Sequence, residues 1–266
     1  MSAEFVHLHV HTDYSMLDGA SRVADLAAQA ADWDMRALAC TDHGNMRATV
    51  DFYETVAKKG IKPIIGCEFY VAPGDSEERS GNSEHAQGFH LVLLAENNQG
   101  YRNLCKLNEH AWLKGFYYKP RIDKEILAQH AEGVICMTAC LGGEIPTRIL
   151  EGNVKAAREA LGEYMDIFSR NNFYVELQDH GLDDQRVVNP QLLELAREFE
   201  LPLVATNDSH YTKKEHHRSH EVLLCIGTQN QMDDPKRFRF DSSEFYFKSP
   251  QEMMDLFADH PGALKS

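Results

Sequence analysis

No CxxC pair occurs in this 266-residue chain, whose six cysteines (Cys40, Cys67, Cys105, Cys136, Cys140 and Cys225) are scattered and lie mostly inside apolar runs. A disulfide framework is therefore not expected, and ligation of a metal by a single cysteine stays open. No apolar run reaches the length of a membrane span, so no membrane partner is expected. No positively charged and then apolar leader precedes the first strand-like run, FVHLHV, which sets the expectation of a cytoplasmic protein. Cations are scarce as well: 27 Lys and Arg face 41 Asp and Glu, a formal net charge of −14. That deficit argues against this chain alone holding duplex DNA by its phosphates. An acidic protein still processes nucleotides where bound cations invert the local field. There is no internal repeat, no low-complexity linker, and no GxGxxG in the first turn, which reads HTDYSMLDG.

What is present is an alternation. Seven runs read as strands, FVHLHV, RALACTD, IKPIIGCEFYV, FHLVLLAE, GVICMTA, FYVELQ and LPLVATND, with helical stretches such as SRVADLAAQAADW and NPQLLELAREFE between them. Strands separated by helices imply parallel pairing with right-handed crossovers. An open doubly wound sheet and a closed barrel both fit, and the missing glycine fingerprint weakens the first. Polar residues at the strand ends favour the second, because strand ends converge at the C-terminal rim of a (β/α) barrel. The fold class expected is α/β: a (β/α)7, TIM-like barrel over residues 1–226, with its site on that rim. His90 is awkward here, since it stands early in its run rather than late. Residues 74–88, GDSEERSGNSEHAQG, read as a mobile surface loop. Residues 227–266 read as an appendage holding an extended piece and a helix capped by Ser249, Pro250 and Glu252.

His7, His9 and His11 recur at every second position and share one face of an extended strand. Residues i and i+4 of a strand stand roughly 13 Å apart, so at most two of the three reach one ion. An isolated HxH, TDHGN or NDSH is weak evidence. Their joint occurrence with LDG, GCE, FH and ACLGG at strand boundaries is the mixture of imidazole, carboxylate and thiol that borderline-soft divalent metals prefer.

These blocks, and longer ones such as LHVHTDYSMLDG, ALACTDHGNMRATVDFY, HLVLLAENNQGYRNLCKL and SPQEMMDLFAD, resemble the polymerase and histidinol phosphatase (PHP) superfamily of metal-dependent phosphoesterases. Within it they look most like the PHP domains at the N-terminus of bacterial replicative DNA polymerase III alpha subunits. The resemblance covers essentially the whole chain. It implies a distorted barrel holding three divalent ions, Zn, Mn or Fe, through nine ligands. His9, His11 and Asp208 would hold one, Glu68 would bridge it to a second bound by His90 and Cys140, and Asp18, His43 and His210 would hold the third. Asp18, Glu68 and Asp208 would then be catalytic through the metals. The implied reaction is 3′-5′ exonucleolytic hydrolysis of DNA, serving proofreading. The implied partners are a DNA 3′ end, the remainder of the polymerase and the replisome. The alternatives are a free-standing phosphatase acting on a small phosphomonoester, and a metal-stabilised module without catalysis. Nothing in the chain resembles a polymerase palm.

His7 is expected to be a hydrogen-bonded core residue, as is Cys136. Asp42 is read as either a carboxylate orienting a ligand or a strand-end cap. GFYYKPRID interleaves aromatic and basic residues in the manner of single-strand binders, which makes Tyr118 and Arg121 candidate substrate contacts. His180 is a further candidate at the rim. Lys119 lies in GFYYKPRID as well, whereas Lys213 and Lys214 read as solvated, as do His216, His217 and His220 on a helix expected to be exposed.

Overall fold

A computed structural model describes residues 5–79 and 85–264 of the chain. Eight strands are found among the described residues: β1 Ala37–Cys40, β2 Lys62–Val71, β3 Phe89–Ala95, β4 Phe116–Tyr117, β5 Lys119–Ile122, β6 Val134–Met137, β7 Phe173–Leu177 and β8 Leu203–Ala205. They form one curled sheet in the order β4-β5-β2-β3-β6-β7-β8, with β1 pairing β2 beside β5. The first expected strand is extended but makes a single bridge, Val10 to Ser209. It nevertheless closes the curl. Ala39 N donates to His7 O and Thr41 N to Val10 O on one side, while His11 N donates to Ser209 O and Ser209 N to His9 O on the other. All seven expected runs are therefore staves of one α/β barrel of distorted shape.

Two expectations about the sheet fail. Parallel pairing holds for β1–β2, β6–β7 and β7–β8, but β3 runs antiparallel to both β2 and β6. A parallel return needs a crossover of a dozen or more residues, usually a helix, and the polar stretch after β2 has no helical pattern to build one. The reversal places the beginning of β3, and with it His90, on the rim where the other strands end. The second failure is GFYYKPRID, which folds into the hairpin β4–β5 and adds to the edge of β2.

Helices cover the outside, among them α1 Val23–Asp32, α2 Thr49–Lys58, α3 Asn98–Leu113, α4 Lys124–Gln129, α5 Glu144–Leu150, α6 Val154–Ile167, α7 Asp183–Glu198, α8 His217–Thr228 and α9 Pro250–Leu256. Their starts follow from side-chain caps where the sequence offers them: Asn97 accepts from Gln99 N and Gly100 N, and Ser249 with Glu252 makes the expected capping box. Apolar faces of α1, α2, α3, α6 and α7 meet the sheet in one core that includes Leu26, Phe52, Leu104, Leu161 and Leu192.

The tail is not an appendage. Tyr211 bridges Tyr246, Phe247 N donates to Tyr211 O, and Ala205 N, on β8, donates to Ala263 O. Phe247, Met253, Phe257 and Ala263 are buried in the same core as the barrel helices. The loop expected to be mobile is held at both described ends: Arg121 donates from Nη2 to Ser76 O and Glu78 O and from Nη1 to Ala86 O. Residues 80–84 of that loop lie outside the described residues.

Candidate metal centre

The nine residues expected to ligate metals meet at one end of the barrel. Glu68 stands at the centre. Its Oε1 lies 2.8 Å from His90 Nδ1, 3.4 Å from His9 Nε2 and 3.8 Å from Cys140 Sγ, and its Oε2 lies 2.6 Å from His43 Nδ1 and 3.4 Å from His11 Nε2. Asp208 Oδ1 lies 3.2 Å from His9 Nε2 and 3.1 Å from His11 Nε2. His43 Nε2 reaches Asp18 Oδ2 at 3.3 Å, and His210 Nδ1 stands 3.5 Å from Asp208 Oδ1. Three sets bring one donor atom each within 4.8 Å of the others: His9, His11 and Asp208; His43, Glu68 and His90; and His11, His43 and His210. The first is the expected trio. The other two differ from the expected grouping, which put His43 with Asp18 and His210: its Nδ1 turns to Glu68 while its Nε2 faces Asp18.

Local structure aims these groups. Gly19 closes the LDG turn, donating to Ser15 O, and any side chain there would collide with Thr12 O at 1.9 Å. Asp208 follows β8 in the left-handed region, φ 44°, which an aspartate tolerates better than most residues. Surrounding side chains then fix the imidazoles. His9 Nδ1 donates to Glu176 Oε1 at 2.7 Å, and Glu176 is held in turn by Gln178 and Thr206. His11 Nδ1 donates to Ser15 Oγ at 3.1 Å, since the hydroxyl proton of Ser15 is committed to Asp42 Oδ1 at 2.8 Å. His210 Nδ1 donates to the carbonyl of Asp208 at 2.8 Å. In each ring the protonated nitrogen is turned outward and the other is left as a lone pair, the form a metal requires.

A fit to metal can be tested on what the protein leaves unpaired. His9 Nε2, His11 Nε2, His43 Nδ1, Glu68 Oε2 and Asp208 Oδ1 are all buried without an aligned hydrogen-bond partner. Such groups cost free energy unless something pairs with them. The donor set of nitrogen, carboxylate oxygen and one sulfur suits Zn, Mn or Fe. Burial alone disfavours ionised Glu68 and Asp208, yet the surrounding histidines outweigh it and hold both carboxyls well below their usual range. Burial likewise pushes the Cys140 thiol up.

The structure corrects several other expectations. Arg121 is 3% exposed, with four of its five guanidinium N–H donors spent on backbone carbonyls, the three in the loop and Gly115 O, so it is a buried structural clamp rather than a phosphate contact. Tyr118, by contrast, is 69% exposed at the hairpin tip. His180 borders the cleft over the cluster but is buried, stacked on Phe245 at 3.8 Å, with Nε2 donating to Asn207 O and Nδ1 accepting from Gln185. It is a wall rather than a free donor. The Asp42 carboxylate touches no ligand side chain directly: it gathers Thr12, Ser15 and Cys40 and acts on His11 through Ser15, while its backbone carbonyl accepts from Glu68 N. His220 is fully buried rather than solvated, its Nε2 donating to Asp18 O at 2.8 Å. His7 is a core residue bonded to Lys248 O, and Cys136 is core as well.

Among the groups that escaped the sequence reading are Glu176, Ser15 and His220. An acid alone among the apolar residues of FYVEL, on a strand buried along most of its length, is itself a signal for Glu176. His220 carried none, because the polar run KKEHHRSHE around it reads as an exposed helix.

An α/β barrel whose rim carries nine clustered imidazole, carboxylate and thiol groups defines the class: a barrel built to hold divalent metal. The PHP domain family matches residues 7–180, and the chain belongs to that family. It is 48% identical over 260 residues to the DNA polymerase III subunit alpha of Treponema pallidum, covering 97% of this chain and 22% of that protein. It is 47% identical over 259 residues to the same subunit of Thermus aquaticus, covering 96% and 21%. The chain thus spans about a fifth of the length of these relatives. Among solved structures it is similar to a putative metal-dependent phosphoesterase from Bifidobacterium adolescentis, 13% identical, with a TM-score of 0.47 over 95% of this chain and 96% of that one. Among the described residues no helix is long and apolar enough to cross a membrane.

Proposed function

We propose that the chain is the PHP domain of a DNA polymerase III alpha subunit and that it hydrolyses the 3′-terminal phosphodiester of DNA, a proofreading exonuclease working in the cytoplasm beside the rest of that subunit and the replisome. The observation that carries the reading is the orientation of the rim: lone pairs and carboxylates left unpaired in a buried cluster, at the floor of a cleft of about 760 Å³ open to solvent. In this reading His9, His11 and Asp208 hold one ion. Glu68, His90 and Cys140 would hold a second, and Asp18, His43 and His210 a third. Divalent ions so held lower the pKa of water and offset the charge that develops on phosphorus. Glu176, Ser15 and His220 keep His9, His11 and Asp18 from turning away. Attack by water breaks the bond between phosphorus and the 3′ oxygen of the penultimate nucleotide, releasing a nucleoside 5′-monophosphate and leaving a 3′-hydroxyl that has taken up the proton.

A nuclease assay on a mismatched primer-template, run across Mn, Zn and Fe, tests this. Asp208→Asn, Glu68→Gln and Asp18→Asn should each lower the rate roughly a hundredfold or more, with circular dichroism unchanged. Full activity in all three variants would sink the proposal. Hydrolysis of a generic phosphomonoester but not of the primer would move the chain to the small-molecule phosphatases, and no hydrolysis with any metal would make it a structural module.

A further inference from the structure

A second depression, about 250 Å³, adjoins the large cleft at Asp18 and His43 and lies between the 14–18 turn and the β4–β5 hairpin. Asp18 and His43 form its floor, and Arg47, Trp112, Tyr118 and Lys119 contribute to its walls. We propose that this groove holds the single-stranded 3′ end of a nucleic acid, with a base stacked on Tyr118 and backbone phosphates paired with Arg47 and Lys119. The proposal rests on the hydrolase reading for what happens to the bond, but not for the binding itself.

Charge selects the occupant. In an acidic chain, phosphate approaches only where cations stand without acids. Among the described residues neither Arg47 nor Lys119 has a carboxylate partner: Arg47 Nε leans on Asn45 Oδ1 at 3.4 Å, and Lys119 Nζ lies 5.1 Å from the Tyr70 ring centre. The larger cleft is different. Its Arg186 is paired with Asp183 at 2.8 Å and its Arg239 with Asp241 at 3.3 Å, and Asp184 adds another acid. The one carboxylate lining the smaller groove is Asp18, which already belongs to the cluster.

The aromatic wall is built rather than incidental. Tyr118 sits at the hairpin tip with φ 59°, a conformation that glycine or asparagine adopts at less cost, yet the position carries a bulky ring exposed to solvent. The ring stands edge-on to Tyr117 at 4.5 Å, and nearby Phe116 stacks on Trp112 at 5.5 Å. The Trp112 indole N–H donates to Gly44 O at 2.8 Å, one residue from His43. A side chain on Gly44 would come within 2.6 Å of Pro120 Cγ, so hairpin and ligand turn are in direct contact. Lys119 lies over Tyr70, whose ring in turn stacks with His43 at 6.0 Å. Base, phosphate and metal subsites thus belong to one rigid piece, as stacking platforms for single strands require.

Fluorescence anisotropy tests the groove without turnover. The probe is a 5′-fluorescein decathymidylate with phosphorothioate terminal linkages, titrated with the 266-residue chain in Mn. Tyr118→Ala should weaken binding roughly tenfold, while Tyr53→Ala, an exposed ring on the outer face of α2, should not. The pair Arg47→Gln and Lys119→Gln should reduce the slope of log affinity against log salt by about 1.4. Metal content measured on the same samples shows whether a variant has lost the neighbouring cluster instead. Unaltered affinity and salt slope in these variants would overturn the groove and mark it as a protein contact, and so would failure of the unsubstituted chain to bind at all. If the binding effects appear but the mismatched primer is never cut, the groove stands and the exonuclease reading falls.

Discussion

His7 and His9 lie two residues apart, both fully buried, and do different work. His7 donates to Lys248 O and packs against Phe5 and Phe247, whereas His9 turns a lone pair toward Asp208 and Glu68. His7→Asn should therefore cost about 2 kcal/mol of stability and keep its metal; His9→Asn should lose metal, as elemental analysis of the dialysed protein would show. Glu176→Ala frees His9 to rotate, and metal affinity by competition with a chelator should drop roughly 10–100-fold. For His180, burial pulls the imidazole down to about 4, against about 6.5 in an unfolded chain. Between those values the unfolded state binds the extra proton, so stability falls as pH falls from 6.5 to 4. At its steepest that slope is about 1.4 kcal/mol per pH unit. Denaturant midpoints measured across the window should show His180→Gln with a shallower dependence, and parallel curves would contradict the assignment. Most of the nine rim residues were legible because they stand at one end of an apolar run or in the turn beside it, where a polar residue needs a reason. Residues that act one contact further out, such as Ser15 and His220, are not, because their partners are brought by the fold from up to 202 positions away.

At the scale of elements, six of the seven sheet runs read from the sequence are strands, and the seventh is extended. Their direction was less visible. Nothing in FHLVLLAE says which way it runs, and only the missing helix before it argued for reversal. His90 was the outward sign, a rim residue early in its run, and it fits once β3 is antiparallel. The hairpin β4–β5 was missed for a related reason: its strands are two and four residues long, too short for an alternation to show. It carries Arg121, which fastens both described ends of the loop joining β2 to β3. Arg121→Ala leaves four carbonyls without that donor and should cost roughly 3 kcal/mol in urea unfolding. Arg121→Lys should recover little of it, since an ammonium cannot span the same fork of acceptors. Limited proteolysis of the variant should cut first within 72–88.

For the whole molecule, the division expected near residue 226 is not where packing divides. Phe247, Met253 and Phe257 are buried in the barrel's own core, at about 1.5–3 kcal/mol each. Together they rival the 5–15 kcal/mol that holds a typical domain. A chain ending at 226 should be insoluble or lack the near-ultraviolet dichroism of fixed aromatic packing, whereas a stable, metal-replete fragment would show the tail to be dispensable. The sequence pattern hid this because the tail has no regular strand to continue the alternation; it joins through single bridges and backbone bonds at Tyr211 and Ala205.

The stave formed by residues 7–11 has a consequence for synthesis. It is held on one side by β1 and on the other by the stretch around Ser209, so a growing chain carries His9 and His11 without Asp208 and Ser209 for nearly two hundred residues. Ring closure and completion of the metal cluster are then a single late event. Contacts so distant in the chain make folding slow, and until they form, the earliest histidines are open to whatever metal the surroundings offer.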